Sequence, residues 1–201
     1  TVVLLNVGNI IDMSWVEDYG DKISAIVYAW QGGMESGNAL VDVLTGEISP
    51  SGKLADTIAK RYEDYPGSDC FGGKEYNEYV EDIYVGYRYF ETFRPEQVLY
   101  PFGFGLSYTE FSLEAKVYHE DGKLQTEVTV TNIGSRSGKE VVQVYLGLPG
   151  GLLGNPEKVL AGFAKTKKLA PGEAETVSIE IDLLDFASYD DHELSGFVNL
   201  Q

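Results

Sequence analysis

Apolar positions along this chain follow two rhythms, and the change from one to the other predicts its organisation. Residues 2–7 (VVLLNV) form an almost continuous apolar run, the pattern of a strand buried on both faces. Ser14 and Glu17 then stand at capping-box spacing and Gly20 follows as a stop, so a short helix is predicted between them. Residues 23–30 (ISAIVYAW) repeat the buried-strand pattern. After Gly32 and Gly33 a second helix is predicted, with Met34, Leu40, Val41 and Leu44 as its apolar positions and Gly46 closing it. Strand, helix, strand, helix in so short a compass implies parallel strands with helices on both faces. Residues 48–54 (ISPSGKL) read as a turn leading into an irregular segment.

Beyond residue 108 the period becomes two. Leu124, Thr126, Val128 and Val130 alternate with Gln125, Glu127, Thr129 and Thr131. Val142, Val144, Leu146 and Leu148 repeat the alternation, as do Val177, Ile179, Ile181 and Leu183. Asp121-Gly122 is a hairpin signal between the first two strands, and Pro171-Gly172 marks another turn. Alternating strands separated by turn residues predict an antiparallel β-sandwich. The fold class is therefore α/β followed by all-β, with the boundary near Thr109, after the Gly-rich Pro101-Phe102-Gly103-Phe104-Gly105.

Between the two rhythms, residues 61–108 are crowded with tyrosine and acid. They include Tyr62, Tyr65, Tyr76, Tyr79, Tyr84, Tyr87 and Tyr89, with Glu63, Asp64, Glu75, Glu78, Glu81 and Asp82. Loops of this length are usually functional or packed against a neighbour. Rings and carboxylates together suit sugars. Tyrosines at a domain junction, which bury the ring and keep the hydroxyl wet, explain the pattern more simply.

Charge and composition remove several function classes. A formal charge of −17 would repel nucleic-acid phosphates, and is explained as a solubilising surface. No run approaches the roughly 18 apolar residues that span a bilayer. The single Cys70 excludes an internal disulfide framework and a cysteine-based zinc site. His119 and His192 lie far apart, beside acids in predicted turns, as solvated surface residues do. Neither has metalloprotease spacing. Gly46 to Lys53 fails as a phosphate loop: five residues separate its glycines rather than four, and Leu54 replaces the required Ser or Thr. There is no Gly-x-Ser-x-Gly elbow, no calcium-loop spacing and no glycosylation sequon. No metal or cofactor is expected.

Five segments, in order, carry a resemblance. These are VLLNVGNIIDMSW (3–15), AWQGGMESGN (29–38), ALVDVLTGEISPSGKL (39–54), EDIYVGYRYF (81–90) and YPFGFGLSYTEF (100–111). They are similar to the second, α/β sandwich domain of glycoside hydrolase family 3 and to its junction with a fibronectin type III-like domain. VTNIGSRSGKEVVQVYL (130–146) then resembles that β domain itself. The resemblance implies a C-terminal part of the α/β sandwich over residues 1–108 and a fibronectin type III-like domain over 109–201. It also implies a retaining, exo-acting β-glycosidase of the β-glucosidase type. Such enzymes need a carboxylate nucleophile and a second carboxylic acid to protonate the leaving oxygen. In the family, a separate (β/α)8 barrel supplies the aspartate, and a loop preceding the strand at residues 2–7 supplies the glutamate. Neither segment is present, so no catalytic residue is expected in this chain.

Glu35 is the tempting substitute, at a strand-to-helix turn where open α/β sheets place ligands. An acid in a helix's first turn is also explained by the helix dipole, and the family's wording here is closer to Pro-Gly-x-Glu-Gly-Gly, from which Gln31 and Ser36 depart. Glu35 is read as structural or adjacent to the site, not as the proton donor. Trp30 and Gln31 are the other substrate-proximal candidates, and serve equally as core and turn residues. Arg88 is expected to be charge-paired, stacked on Tyr87 or Tyr89, and Gly103 and Gly105 to ease the backbone crossing.

The abrupt start, without a leader, reads as a fragment or processed chain, and the family's final edge-completing strand is expected to be missing after Leu200. The junction wording also resembles members in which the barrel follows the β domain. The expected partners are a β-glucoside or oligosaccharide, met through the complete enzyme, and the missing barrel. The other reading is a carbohydrate- or protein-binding module without chemistry. One cysteine and no visible leader lean towards the cytoplasm. The sequence leaves sugar specificity and oligomeric state open.

Overall fold

The computed structural model describes residues 1–148, 154–190 and 196–198. The chain divides into two compact units. One comprises Thr1–Ile48 with Leu54–Phe104, and the other Ser49–Lys53 with Gly105–Gln201. His192 and the middle of the 147–159 loop lie outside the described residues.

The first unit opens with β1 (Val2–Leu5), followed by α1 (Trp15–Tyr19) and β2 (Ala25–Tyr28). The strands pair in parallel, from Val2 opposite Ala25 to Leu5 opposite Tyr28. Leu5, Met13 and Ile58 form the buried core, with Val3, Val7, Ile10, Ile11 and Trp15 packed around it. Burial of β1 is one-sided, contrary to the expectation from its apolar run: Val2 is 50% and Leu4 40% exposed. The expected helix cover on both faces is not found among the described residues: α1 lays Trp15 and Val16 against the core without fully burying either, while α2 (Ser36–Thr45) has no buried residue and leaves Val41 and Leu44 exposed. Met34 precedes α2 rather than joining it.

The start of α1 differs in detail from its sequence signal. Ser14 makes no side-chain cap; instead its N–H donates to Asp12 Oδ1 at 2.8 Å, a local turn that competes with the capping box. Gly20 keeps a right-handed conformation and passes into a 3-10 turn at Gly20–Lys22. Gly46 does close α2 as expected, at φ 82°, its N–H donating to the Val43 carbonyl.

Of residues 61–108, the stretch 65–86 carries no strand or helix, as the loop reading expects, and regular structure enters at the two ends. β3 (Ile58–Ala59) pairs antiparallel with β4 (Val98–Tyr100), and α3 (Tyr87–Phe93) lies between them in sequence. Phe90 of α3 is buried and meets Tyr65 edge-on, with ring centroids 5.6 Å apart. Tyr89 and Phe93 pack beside it, and Tyr87 stacks on Phe102 at 4.7 Å. The tyrosines here serve chiefly as packing, although Phe71, Tyr76 and Tyr79 stand exposed.

The second unit is a β structure of two main sheets and a short β ladder. β5 (Phe111–Glu120), β6 (Lys123–Asn132) and β9 (Ala174–Asp182) form one antiparallel sheet in the order β5-β6-β9. β7 (Val141–Leu146) and β8 (Val159–Lys165) form the other. β10 (Ser188–Asp190) pairs with β11 (Gly196–Val198). Asp121 and Gly122 make the two-residue hairpin at φ 49° and 77°. Alternation places Val128, Val130, Val142, Val177, Ile179 and Ile181 in the core, with Leu169. Leu148 lies beyond β7, and Leu183 opens a 3-10 turn, where Asp182 accepts from the Leu184 N–H.

Residues 49–53 belong to this second unit although they lie far from it in sequence. Ser49 Oγ bonds Ser107 Oγ at 2.8 Å and accepts from the Tyr108 N–H at 3.0 Å. Lys53 Nζ pairs with Glu140 Oε1 at 2.9 Å and donates to the Gly105 carbonyl at 3.0 Å. Gly105 is required here, because a Cβ would stand 2.2 Å from the Gly52 carbonyl oxygen.

Candidate functional site

Parallel strands end together, so the loops after β1 and β2 emerge on one edge of the sheet, the edge at which open α/β sheets bind ligands. Gly8 and Asn9 follow β1, and Trp30 and Gln31 follow β2. Tyr28, the last residue of β2, donates from its hydroxyl to the Asn9 carbonyl at 2.7 Å and ties the two loops together. Burial is the main cause that raises the pKa of this phenol above the ordinary tyrosine value.

Trp30 adopts a left-handed backbone, φ 54°, which a bulky residue takes only under constraint. Its indole lies against the Tyr28 ring, centroids 4.5 Å apart and planes at 46°. Gln31 crosses Gly8 so closely that a Cβ there would stand 2.7 Å from Gln31 Nε2. Glu35 caps the start of α2 without a side-chain cap bond, is exposed, and accepts from Asn38 Nδ2 on its own helix.

The structure thus brings Trp30 and Gln31 to one edge beside Tyr28, Gly8 and Asn9, and sets Glu35 at the helix start that follows. Tyr28 and Asn9 were missed from sequence. The Gly-Asn step closing the first apolar run was the available signal. Arg88 does not fulfil the expectation of a charge pair: among the described residues its guanidinium makes no ion pair, and Tyr87 and Tyr89 meet Phe102 and Phe90 instead. A shallow depression of about 270 Å³, lined by Thr1, Val3, Trp15, Tyr19, Lys22 and Ile23, gathers at the N-terminal strand ends and includes none of the three candidates. Among the described residues no group of three or more His, Cys, Asp or Glu side chains could hold a metal ion, and no helix is long and apolar enough to cross a membrane.

Residues 1–108 match the glycosyl hydrolase family 3 C-terminal domain, which is more than half of the chain. The chain belongs to glycosyl hydrolase family 3. Residues 140–196 match a fibronectin type III-like domain. A β-glucosidase of Ruminococcus albus is 50% identical over 97% of this chain, which covers 20% of that protein. β-Glucosidase A of Butyrivibrio fibrisolvens is 49% identical over 94% of the chain and 25% of its own length. The crystal structure of a β-glucosidase from Paenibacillus barengoltzii superposes with a TM-score of 0.89 at 51% identity, covering 94% of this chain and 21% of that one. β-Glucosidase 3B of Thermotoga neapolitana in complex with glucose gives 0.87 at 42% identity, covering 94% and 27%. This family 3 chain therefore spans about a fifth to a quarter of the relatives it matches.

Proposed function

We propose that the chain is part of a retaining, exo-acting β-glycosidase of the β-glucosidase type, which releases terminal β-linked glucose from oligosaccharides or glucosides. The identity to named β-glucosidases, in order along almost the whole chain, carries this reading. The α/β part, ending near Thr109, and the β part act as scaffold. Trp30, Gln31 and Glu35 form a rim of the sugar site: an indole to stack on an apolar sugar face, with amide and carboxylate to bond its hydroxyls. The nucleophile and the proton donor come from segments outside this chain, the nucleophile from a (β/α)8 barrel.

The 201-residue chain, assayed alone on a chromogenic β-glucoside, should show no turnover, whereas the polypeptide that contains it together with a barrel should hydrolyse the same substrate. Turnover by the chain that survives removal of contaminating enzymes, or an inert barrel-containing polypeptide, overturns the reading. The tilted Tyr28–Trp30 pair also suits a binding module without chemistry. Saturable quenching of Trp15 and Trp30 fluorescence by cellobiose in the isolated chain would favour that second reading.

A further inference from the structure

Among the described residues β5 pairs with β6 alone and lies at the edge of its sheet. Its residues from Leu113 to Glu120 are all exposed, including Leu113 at 51%, Val117 at 60% and Tyr118 at 51%. An exposed edge of this length is a template for another strand unless something blunts it.

The hairpin fixes which backbone groups face that edge. Glu120 and Lys123 close a two-residue turn, so they form a hydrogen-bonded pair, and so does every second pair from there: Tyr118, Lys116, Glu114 and Ser112 bond to β6. The N–H and C=O groups of Phe111, Leu113, Ala115, Val117 and His119 therefore point outward. Among the described residues no bond to them is found.

The side chains say what would fit. We propose that the β5 edge is a self-association surface, on which a second copy of this chain pairs β5 to β5 antiparallel about a two-fold axis through Ala115. In this register Glu114 lies opposite Lys116 of the second copy, and Lys116 opposite its Glu114. Leu113 meets Val117, Ser112 meets Tyr118, and Ala115 meets Ala115. The charged pairs occupy the non-hydrogen-bonded positions, where facing side chains are closest. Lys116, already opposite Glu127 on β6, then stands between two carboxylates. A shift by two residues in either direction sets Glu114 against Glu114 or Lys116 against Lys116, so the charges select one register. The inference is independent of the glycosidase reading.

Sedimentation equilibrium of the full chain through a dilution series tests it, with circular dichroism and thermal unfolding to verify folding. A reversible dimer is expected. Lys116→Glu and Glu114→Lys should each weaken it by about tenfold or more, because each places like charges opposite at both symmetric positions. The double swap, Glu114→Lys with Lys116→Glu, should restore it. Ala115→Pro should abolish it while leaving the β5–β6 ladder, since the N–H removed faces the open edge. Should that variant misfold, the charge swaps still decide. A chain monomeric throughout shows an edge blunted by its charges, and a dimer indifferent to the reversals lies elsewhere; either result overturns the proposal.

Discussion

At the residue scale, the buried polar groups show how closely side chains are matched to backbone. Asn132 is fully buried: its carbonyl oxygen accepts from Thr109 Oγ1 and the Gly134 N–H, and its amide donates to the Arg136 and Leu169 carbonyls. All four of its bonding positions are used. Tyr65 plays the comparable part in the first unit, accepting from the Ala59 N–H at 3.0 Å and donating to the Thr57 carbonyl at 3.1 Å. Burial is the first cause that raises its phenol above the ordinary tyrosine value, opposed by the Ala59 bond. The folded chain therefore holds this proton to higher pH than the unfolded chain. The stabilisation is complete below about pH 10 and lost as pH rises through the folded value. Tyr65→Phe should cost about 1–3 kcal/mol at neutral pH by stranding a buried donor and acceptor, and should flatten part of the alkaline decline. Urea melts of both proteins at neutral pH and above pH 10 measure it. An alkaline decline unchanged in the variant would assign the effect to other groups, Tyr28 among them. None of this could be read from sequence, where Tyr65 was one tyrosine among many.

At the element scale, legibility followed periodicity. The strict alternation in β6 and β9 placed their core residues correctly, because a period of two survives wherever one face is buried. α3 was lost because YRYFETF is crowded with aromatics, which are indifferent helix formers, and shows no aliphatic stripe. β8, VLAGFAK, has no alternation, and its Gly162 permits close packing: a Cβ there would stand 2.5 Å from Ile179 Cγ2. Both missed elements owe their state to packing. In the turn from β2 to α2, which holds Gly32 and Gly33, the left-handed residue is Trp30 and neither glycine. That choice yields a sharp prediction. Glycine is ordinarily the worse residue for backbone order, but at φ 54° it escapes the strain that alanine retains. Trp30→Gly should therefore be more stable than Trp30→Ala by about 1 kcal/mol, although both lose the same ring. Equal stabilities, or alanine the more stable in chemical unfolding, would show that the left-handed conformation follows the indole rather than the backbone. In that case Trp30 would not be a strained residue holding a binding ring.

At the scale of the whole molecule, the sequence divides in two while the chain crosses more than once. Residues 49–53 lie within the segment that matches the α/β domain, yet fold with the second unit. Hydrophobic pattern carries no trace of this, since ISPSGKL has only its turn residues to read. What holds the segment is polar: the serine pair, the Lys165 Nζ bond to the Ser51 carbonyl at 3.2 Å, and above all Lys53 with Glu140. The lysine and glutamate side chains keep only 18% and 16% of their exposure, so the pair is shielded far better than the surface pairs Lys123–Glu180 and Lys167–Glu173. Breaking a fully buried pair costs about 3–5 kcal/mol, and an exposed one at most about 1. An intermediate loss of about 1–3 kcal/mol is expected for Lys53→Met, which leaves the Glu140 carboxylate, among the described residues, with the Val141 N–H as its donor. Glu140→Gln should lose a similar amount, because Lys53 then keeps a bond to the Gly105 carbonyl but no countercharge. The double variant should lose clearly less than the two combined, since the second change removes a charge the first had stranded. Chemical unfolding of the four proteins gives the coupling directly. High salt should leave it largely intact, as screening reaches shielded pairs poorly. Additive losses, or a coupling erased by salt, would reduce the pair to a surface contact and leave the serines and backbone carbonyls to hold the segment alone.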